Sequence, residues 1–86
     1  MAKSLAKVGE VSHYFTKIGV AVVELTGKIK VGDSIAVKGM TTNFEQKVES
    51  MQVEGENIEE ANPGDDIGMK VADRVRKGDI VYRLGE

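Results

Sequence analysis

Three times in this chain a Gly-Asp pair stands directly ahead of a short apolar run: Val31-Gly32-Asp33, Pro63-Gly64-Asp65 and Lys77-Gly78-Asp79. Glycine takes a positive φ without a Cβ clash, and an aspartate carboxylate can bond backbone two residues on. Each triplet therefore predicts a tight turn that launches a strand. The ten glycines and the single proline fall between short apolar runs. No window holds a 3.6-residue apolar period for long enough to make a helix. What remains is a chain of strands and turns.

The runs themselves carry strand signals. Gly19-Val20-Ala21-Val22-Val23-Glu24-Leu25 is short and β-branched, as a strand buried on one face and partly covered on the other would be. Alternation points Ile67, Met69 and Val71 inward. Ile35 with Val37, and Ile80 with Tyr82 and Leu84, form further alternating sets. From Phe44 to Val53 the apolar phase slips, because Phe44 and Val48 share one parity while Met51 and Val53 share the other. An extra residue inserted in the strand would reconcile them, so a β-bulge is expected near Glu49-Ser50. Asn57-Ile58-Glu59-Glu60 has capping-box spacing, but with Pro63 so close it supports one helical or 3₁₀ turn at most. Six or seven short strands with almost no helix imply a small closed antiparallel barrel, which also removes exposed edges.

An 86-residue chain is one domain, 1–86, with the barrel over about 6–84. It has no cysteine, which excludes disulfides, thiolate zinc sites and a cysteine nucleophile, and fits a reducing compartment. Met1-Ala2-Lys3-Ser4-Leu5 lacks the apolar stretch of a signal peptide, and no run approaches a membrane span. The expectation is a soluble cytoplasmic protein with no membrane partner. Twelve basic residues against fourteen acidic ones give a formal net charge of -2. That balance argues against strong, non-specific binding to a phosphate backbone, which needs a surplus of Lys and Arg.

Four segments then carry a family likeness. Gly27-Lys28-Ile29-Lys30-Val31-Gly32-Asp33-Ser34-Ile35 resembles the Gly-x-hydrophobic-x-Val-Gly-Asp segment of the second domain of translational GTPases such as elongation factor Tu. Val48-Glu49-Ser50-Met51-Gln52 is similar to the strand that follows it there. Ala61-Asn62-Pro63-Gly64-Asp65-Asp66-Ile67-Gly68 resembles the Ala-x-x-Gly-Asp-x-Val-Gly turn, and Arg76-Lys77-Gly78-Asp79-Ile80-Val81 the closing strand. The four occur in the family's order across residues 6 to 84. The resemblance implies a barrel of the translation-factor domain 2 type, an accessory that in the elongation factors helps hold the aminoacyl end of tRNA. Val8-Gly9-Glu10-Val11-Ser12-His13-Tyr14-Phe15 also resembles the first strand of the C-terminal barrels of collagenase-like peptidase proteins, some of which act in RNA modification.

Catalytic equipment is not apparent. Gly27-Lys28 is followed by Ile29 and has Val22 where a phosphate loop needs its first glycine, so nucleotide hydrolysis is not expected. His13, the only histidine, sits beside Tyr14 and Phe15 and reads as a structural or solvent-facing ring. Glu54, Glu56, Glu59, Glu60, Asp65 and Asp66 lack calcium-loop spacing and read as a solvated acidic loop. No catalytic residue, cofactor or metal ligand is expected. Arg74, Arg76 and Lys77, with Lys28 and Lys30, form a candidate positive patch if the closing strand lies near the first Gly-Asp turn. The plainer reading of these five is surface ion pairing. Tyr14, Phe15 and Phe44 are the aromatics near loops, and at least one of them should belong to the core. The leading expectation is a non-enzymatic module that contacts tRNA, rRNA or a translation-associated protein. The competing one is a protein-interaction module acting in trans with a larger RNA-modifying or peptidase-like enzyme, which the net negative charge favours.

Overall fold

The computed structural model describes residues 4–85; residues 1–3, read above for a leader segment, and Glu86 lie outside the described residues. Ten strands follow one another: β1 (Ser4–Phe15), β2 (Val20–Leu25), β3 (Ile29–Lys30), β4 (Ser34–Lys38), β5 (Asn43–Lys47), β6 (Met51–Val53), β7 (Glu56–Ile58), β8 (Glu60–Ala61), β9 (Asp66–Lys70) and β10 (Ile80–Gly85). The chain is all-β, and no helix occurs among the described residues. Eight strands form one antiparallel sheet in the order β5-β4-β10-β1-β2-β9-β6-β7, and β3 pairs with β8 in a separate two-stranded ribbon. The end strands β5 and β7 are not laddered to each other. The sheet is therefore open, which corrects the expected closed six- to seven-stranded barrel.

The three Gly-Asp turns share one geometry. Gly32, Gly64 and Gly78 all have φ between 93° and 97°. Asp33, Asp65 and Asp79 each donate their own amide to the carbonyl three residues back, at 3.0–3.1 Å. Each also accepts, on Oδ2, the amide of that same residue: Lys30, Asn62 or Arg76, at 2.9–3.1 Å. The carboxylate thus reaches back three residues rather than forward two, and locks the turn from both sides. Strands β4, β9 and β10 begin on the residue after each aspartate.

The expected bulge at Glu49-Ser50 is a strand break instead. Residues 48–50 lie outside any strand, with Val48 exchanging backbone bonds with Asp33 and Gly32 (2.9 Å each), between β5, which pairs with β4, and β6, which pairs with β7 and β9. Because the partner changes, Val48 and Met51 can both be buried at opposite parity. The true bulges lie in β1, between Lys7 and Gly9 and between Val11 and His13. They bend this twelve-residue strand so that its first half pairs with β10 and its second with β2. The capping-box segment is no helical turn either. Glu54 (φ 51°) and Gly55 (φ 81°) form a two-residue hairpin turn with positive φ at both positions, and Gln52 Nε2 donates to Asn57 Oδ1 across it at 3.0 Å.

The core lies inside the curl of the large sheet. Ile35, Val37, Ile67, Met69 and Val71 point inward as expected, joined by Val11, Ala21, Val23, Leu25 and Met51. In β10 the phase is opposite to expectation: Val81 is buried, while Ile80, Tyr82 and Leu84 are half-buried on the outer face. That face misleads a period-2 reading because it is apolar too, with Tyr82 opposite the buried Ala36 and Leu84 opposite Leu5. Across the gap between β5 and β9, Gln46 Nε2 donates to Lys70 O at 3.0 Å and Gln46 Oε1 accepts the Ala72 amide. One side-chain amide stands there in place of a backbone ladder.

Candidate functional site: a basic, ring-bearing end of the sheet

The β9–β10 connection, residues 71–79, positions the cations. It is hung at one end by the Val71 amide on Gly19 O (3.0 Å) and anchored midway by Val75, which is buried in the core. It is pinned at its far end by Gly78 N to Val11 O (2.8 Å) and by the Asp79 turn. Asp79 is itself buried and lies against Gly39, leaving no room there for a Cβ. Alternation around buried Val75 therefore leaves Arg74 and Arg76 exposed on either side of it, with Lys77 following.

The five basic residues singled out from sequence fall into two groups. Lys30 begins the turn that leads into β4, and Lys28 lies just before it. The 76–79 turn stands at the other end of β4, where Ile80 pairs with Lys38. Five strand residues, roughly 17 Å at ~3.4 Å each, separate the groups. Lys28 Nζ lies 3.8 Å from Glu60 Oε2, both well exposed, and Lys30 is the register partner of Glu60. An exposed pair of this kind contributes about 0–1 kcal/mol. Arg74, Arg76 and Lys77 stay together, so they are the part of the patch that survives as a unit.

Two open grooves meet at Arg76. One, of about 250 Å³, runs between the 41–44 segment and Asp73, Arg74 and Arg76. The other, of about 500 Å³, is lined by Ser12, His13, Tyr14, Arg76 and Lys77. It adjoins, through Tyr14, an apolar surface of about 350 Å³ at the β1–β2 hairpin, Tyr14 to Ile18. Phe15 is 46% exposed and Ile18 is 63% exposed. Tyr14 pairs with buried Ala21 and packs on the core, as does Phe44, whereas His13 and Phe15 share the outer face of β1. Their ring centroids are 5.3 Å apart at 49°. Ser12 Oγ donates to Val22 O at 3.2 Å, and His13 Nδ1 lies 3.3 Å from Ser12 O, so the two side chains are not bonded as a nucleophile and its base.

The carboxylates collect elsewhere. Glu10, Glu24 and Asp66 are register neighbours on β1, β2 and β9, and Glu54, Glu56, Glu59 and Asp65 are exposed around the β6–β9 loops. Among the described residues, no group of three or more His, Asp or Glu side chains is arranged to hold a metal ion. Among the described residues, no helix is long and apolar enough to cross a membrane.

The sequence reading grouped Arg74, Arg76 and Lys77 but did not set His13 beside Arg76 and Lys77, or the hairpin residues Phe15, Lys17 and Ile18 next to that groove. The available signal was parity: with Tyr14 turned inward, His13 and Phe15 must share the opposite face. The bulge at Ser12, and the path of 76–77 beside it, were not legible.

Comparison with known proteins places the chain in a family. The model described as "Peptidase family U32 C-terminal domain" matches residues 4–81. An uncharacterized protease of Methanocaldococcus jannaschii is 40% identical over 81 residues, covering 93% of this chain and 20% of that protein. A collagenase of Porphyromonas gingivalis is 38% identical over 79 residues, covering 90% and 22%. The chain thus spans about a fifth of the length of these relatives. In fold, it is similar to the crystal structure of the C-terminal domain of a Geobacillus thermoleovorans putative U32 peptidase, with a TM-score of 0.86 at 23% identity, covering 91% of each chain. None of these relatives is a translation factor, so of the two likenesses read from sequence, these matches support the peptidase one.

Proposed function

The chain belongs to the peptidase family U32 C-terminal domain family, and from that premise we propose that it is a non-catalytic binding module serving a larger U32 peptidase-like body in the cytoplasm. The observation that carries this reading is one of proportion: the match takes in residues 4–81 here but only a fifth of the relatives' length. The body can be joined to the module or supplied in trans. The module's contribution is contact, because its buried side chains are spent on the core and its one histidine lines a groove without a carboxylate. The translation-factor role implied by the turn segments has no comparable support.

The test is a native affinity purification of the tagged chain after nuclease treatment. Recovery of a U32-type body in stoichiometric amount is the expected result. Its absence, with the chain running alone at the size of its own polypeptide, would refute the proposal. A second reading, contact with nucleic acid, is favoured by a separate observation, the meeting of two grooves at Arg76.

A further inference from the structure

We propose that the groove between Ser12–Tyr14 and Arg76–Lys77, together with the adjoining hairpin surface at Phe15–Ile18, is a binding site for single-stranded nucleic acid, with bases stacked on His13 and Phe15 and phosphates held by Arg76, Lys77 and Lys17. This goes beyond docking to a peptidase-like body and does not depend on it.

Three observations converge. First, two rings stand exposed side by side on one strand face, Phe15 at 46% exposure. A ring left in water at a strand end does little for the core, and every base offers a π-face to it. Second, Arg76 and Lys77 line the same groove as His13, and Lys17 lies on the hairpin that adjoins it. Third, charge is segregated. The chain has more acidic than basic residues, yet the side chains lining the groove and the hairpin surface include no carboxylate. Of the two nearby acids, Asp79 is buried with its Oδ2 occupied by the Arg76 amide, and Asp73 lines the neighbouring groove on the other side of Arg76. Cations that meet no carboxylate within this groove, set beside exposed rings, match a strand of alternating phosphates and bases. An acidic peptide would satisfy the cations and leave both ring faces without a matched partner.

The backbone prepares the site. β1 continues for five residues past its last pair with β10, Glu10 with Ile80, so its final stretch is laddered to β2 on one side and faces the 76–77 segment on the other. Arg76 is fixed by its amide on Asp79, and the segment by the Gly78 amide on Val11 O. The backbone of residues 76–78 is thereby fixed beside β1, so the exposed Arg76 and Lys77 side chains start from set positions next to His13.

The experiment is a fluorescence-anisotropy titration of the full chain with labelled oligouridylate and oligothymidylate of about 12 nucleotides, within the usual site sizes of such folds. At low salt, binding is expected, with log K falling against log salt at a slope near −2 for about three phosphates at ~0.7 each. Phe15→Ala and His13→Ala should each weaken it by about tenfold. The pair Arg76→Glu/Lys77→Glu should abolish it, while Lys28→Glu/Lys30→Glu, beyond the far end of β4, should leave it within about twofold. Circular dichroism confirms that each variant remains folded. The proposal is overturned by no binding below about 100 μM, the weak end of non-specific association. It is equally overturned if the ring variants bind as the parent does, or if poly-glutamate competes as well as the oligonucleotide.

Discussion

Gly9 offers the sharpest test of how this sheet is packed. It pairs with Val81 on one side and Leu25 on the other, immediately after the first β1 bulge. A Cβ placed there would sit 2.5 Å from Val23 Cγ1, 3.0 Å from the Glu24 carbonyl oxygen and 3.3 Å from Leu25 Cδ2. Val23 and Leu25 are core residues, and the carbonyl is backbone, so little can move aside. Overpacking of a filled core costs about 1–3 kcal/mol. Against this, replacing glycine with alanine stiffens the unfolded chain and returns about 0.4–1 kcal/mol. Gly9→Ala should therefore destabilise by about 1–2 kcal/mol, a fall in Tm of roughly 5–15 °C for a domain of this size. Urea denaturation and thermal circular dichroism measure both. The double variant Gly9→Ala/Val23→Ala isolates the cause. Removing Val23 Cγ1 should recover part of the loss as a coupling of about 0.5–1 kcal/mol, with the Glu24 carbonyl contact remaining. A Gly9→Ala protein as stable as the parent, or one with no coupling to Val23, would refute the close approach.

Two further outcomes follow from local geometry. Gln46→Leu removes both bonds across the β5–β9 gap and should cost about 1 kcal/mol, with faster amide exchange at Ala72 in hydrogen-exchange NMR. Glu54, a non-glycine at φ 51°, sits where the first turn residue favours asparagine or glycine, so Glu54→Asn should raise the urea midpoint by up to about 1 kcal/mol of stability.

The turns were legible because their chemistry is local: Gly32, Gly64 and Gly78 announce positive φ, and the aspartates beside them bond within four residues. The inward faces of β4 and β9 were legible for a related reason, since one face of each is consistently apolar. β10 was not, because Ile80, Tyr82 and Leu84 cover an outer face that is itself part-apolar. The break at residues 48–50 and the openness of the sheet depend on which strand each segment chooses as partner, and nothing local in Val48-Glu49-Ser50 encodes that choice. The basic patch was half legible for the same reason. Arg74, Arg76 and Lys77 are neighbours in sequence, whereas their distance from Lys30 is set by the length and direction of β4. The placing of His13 beside Arg76 and Lys77 was not legible, because it follows from the bulge at Ser12 and from the loop that passes beside it.

Strand β1 has a consequence for how such a module can be mounted. Its first residue, Ser4, is the register partner of Gly85, so the two ends of the described chain stand next to each other on adjacent strands. His13 and Phe15 lie at the opposite end of the same strand, up to about 35 Å away at ~3.4 Å per residue. A leash attached at either end would leave from the same corner and keep clear of the groove. A pendant with that layout swings about one attachment point while its ring-bearing end reaches outward, and the reach is set by β1 alone.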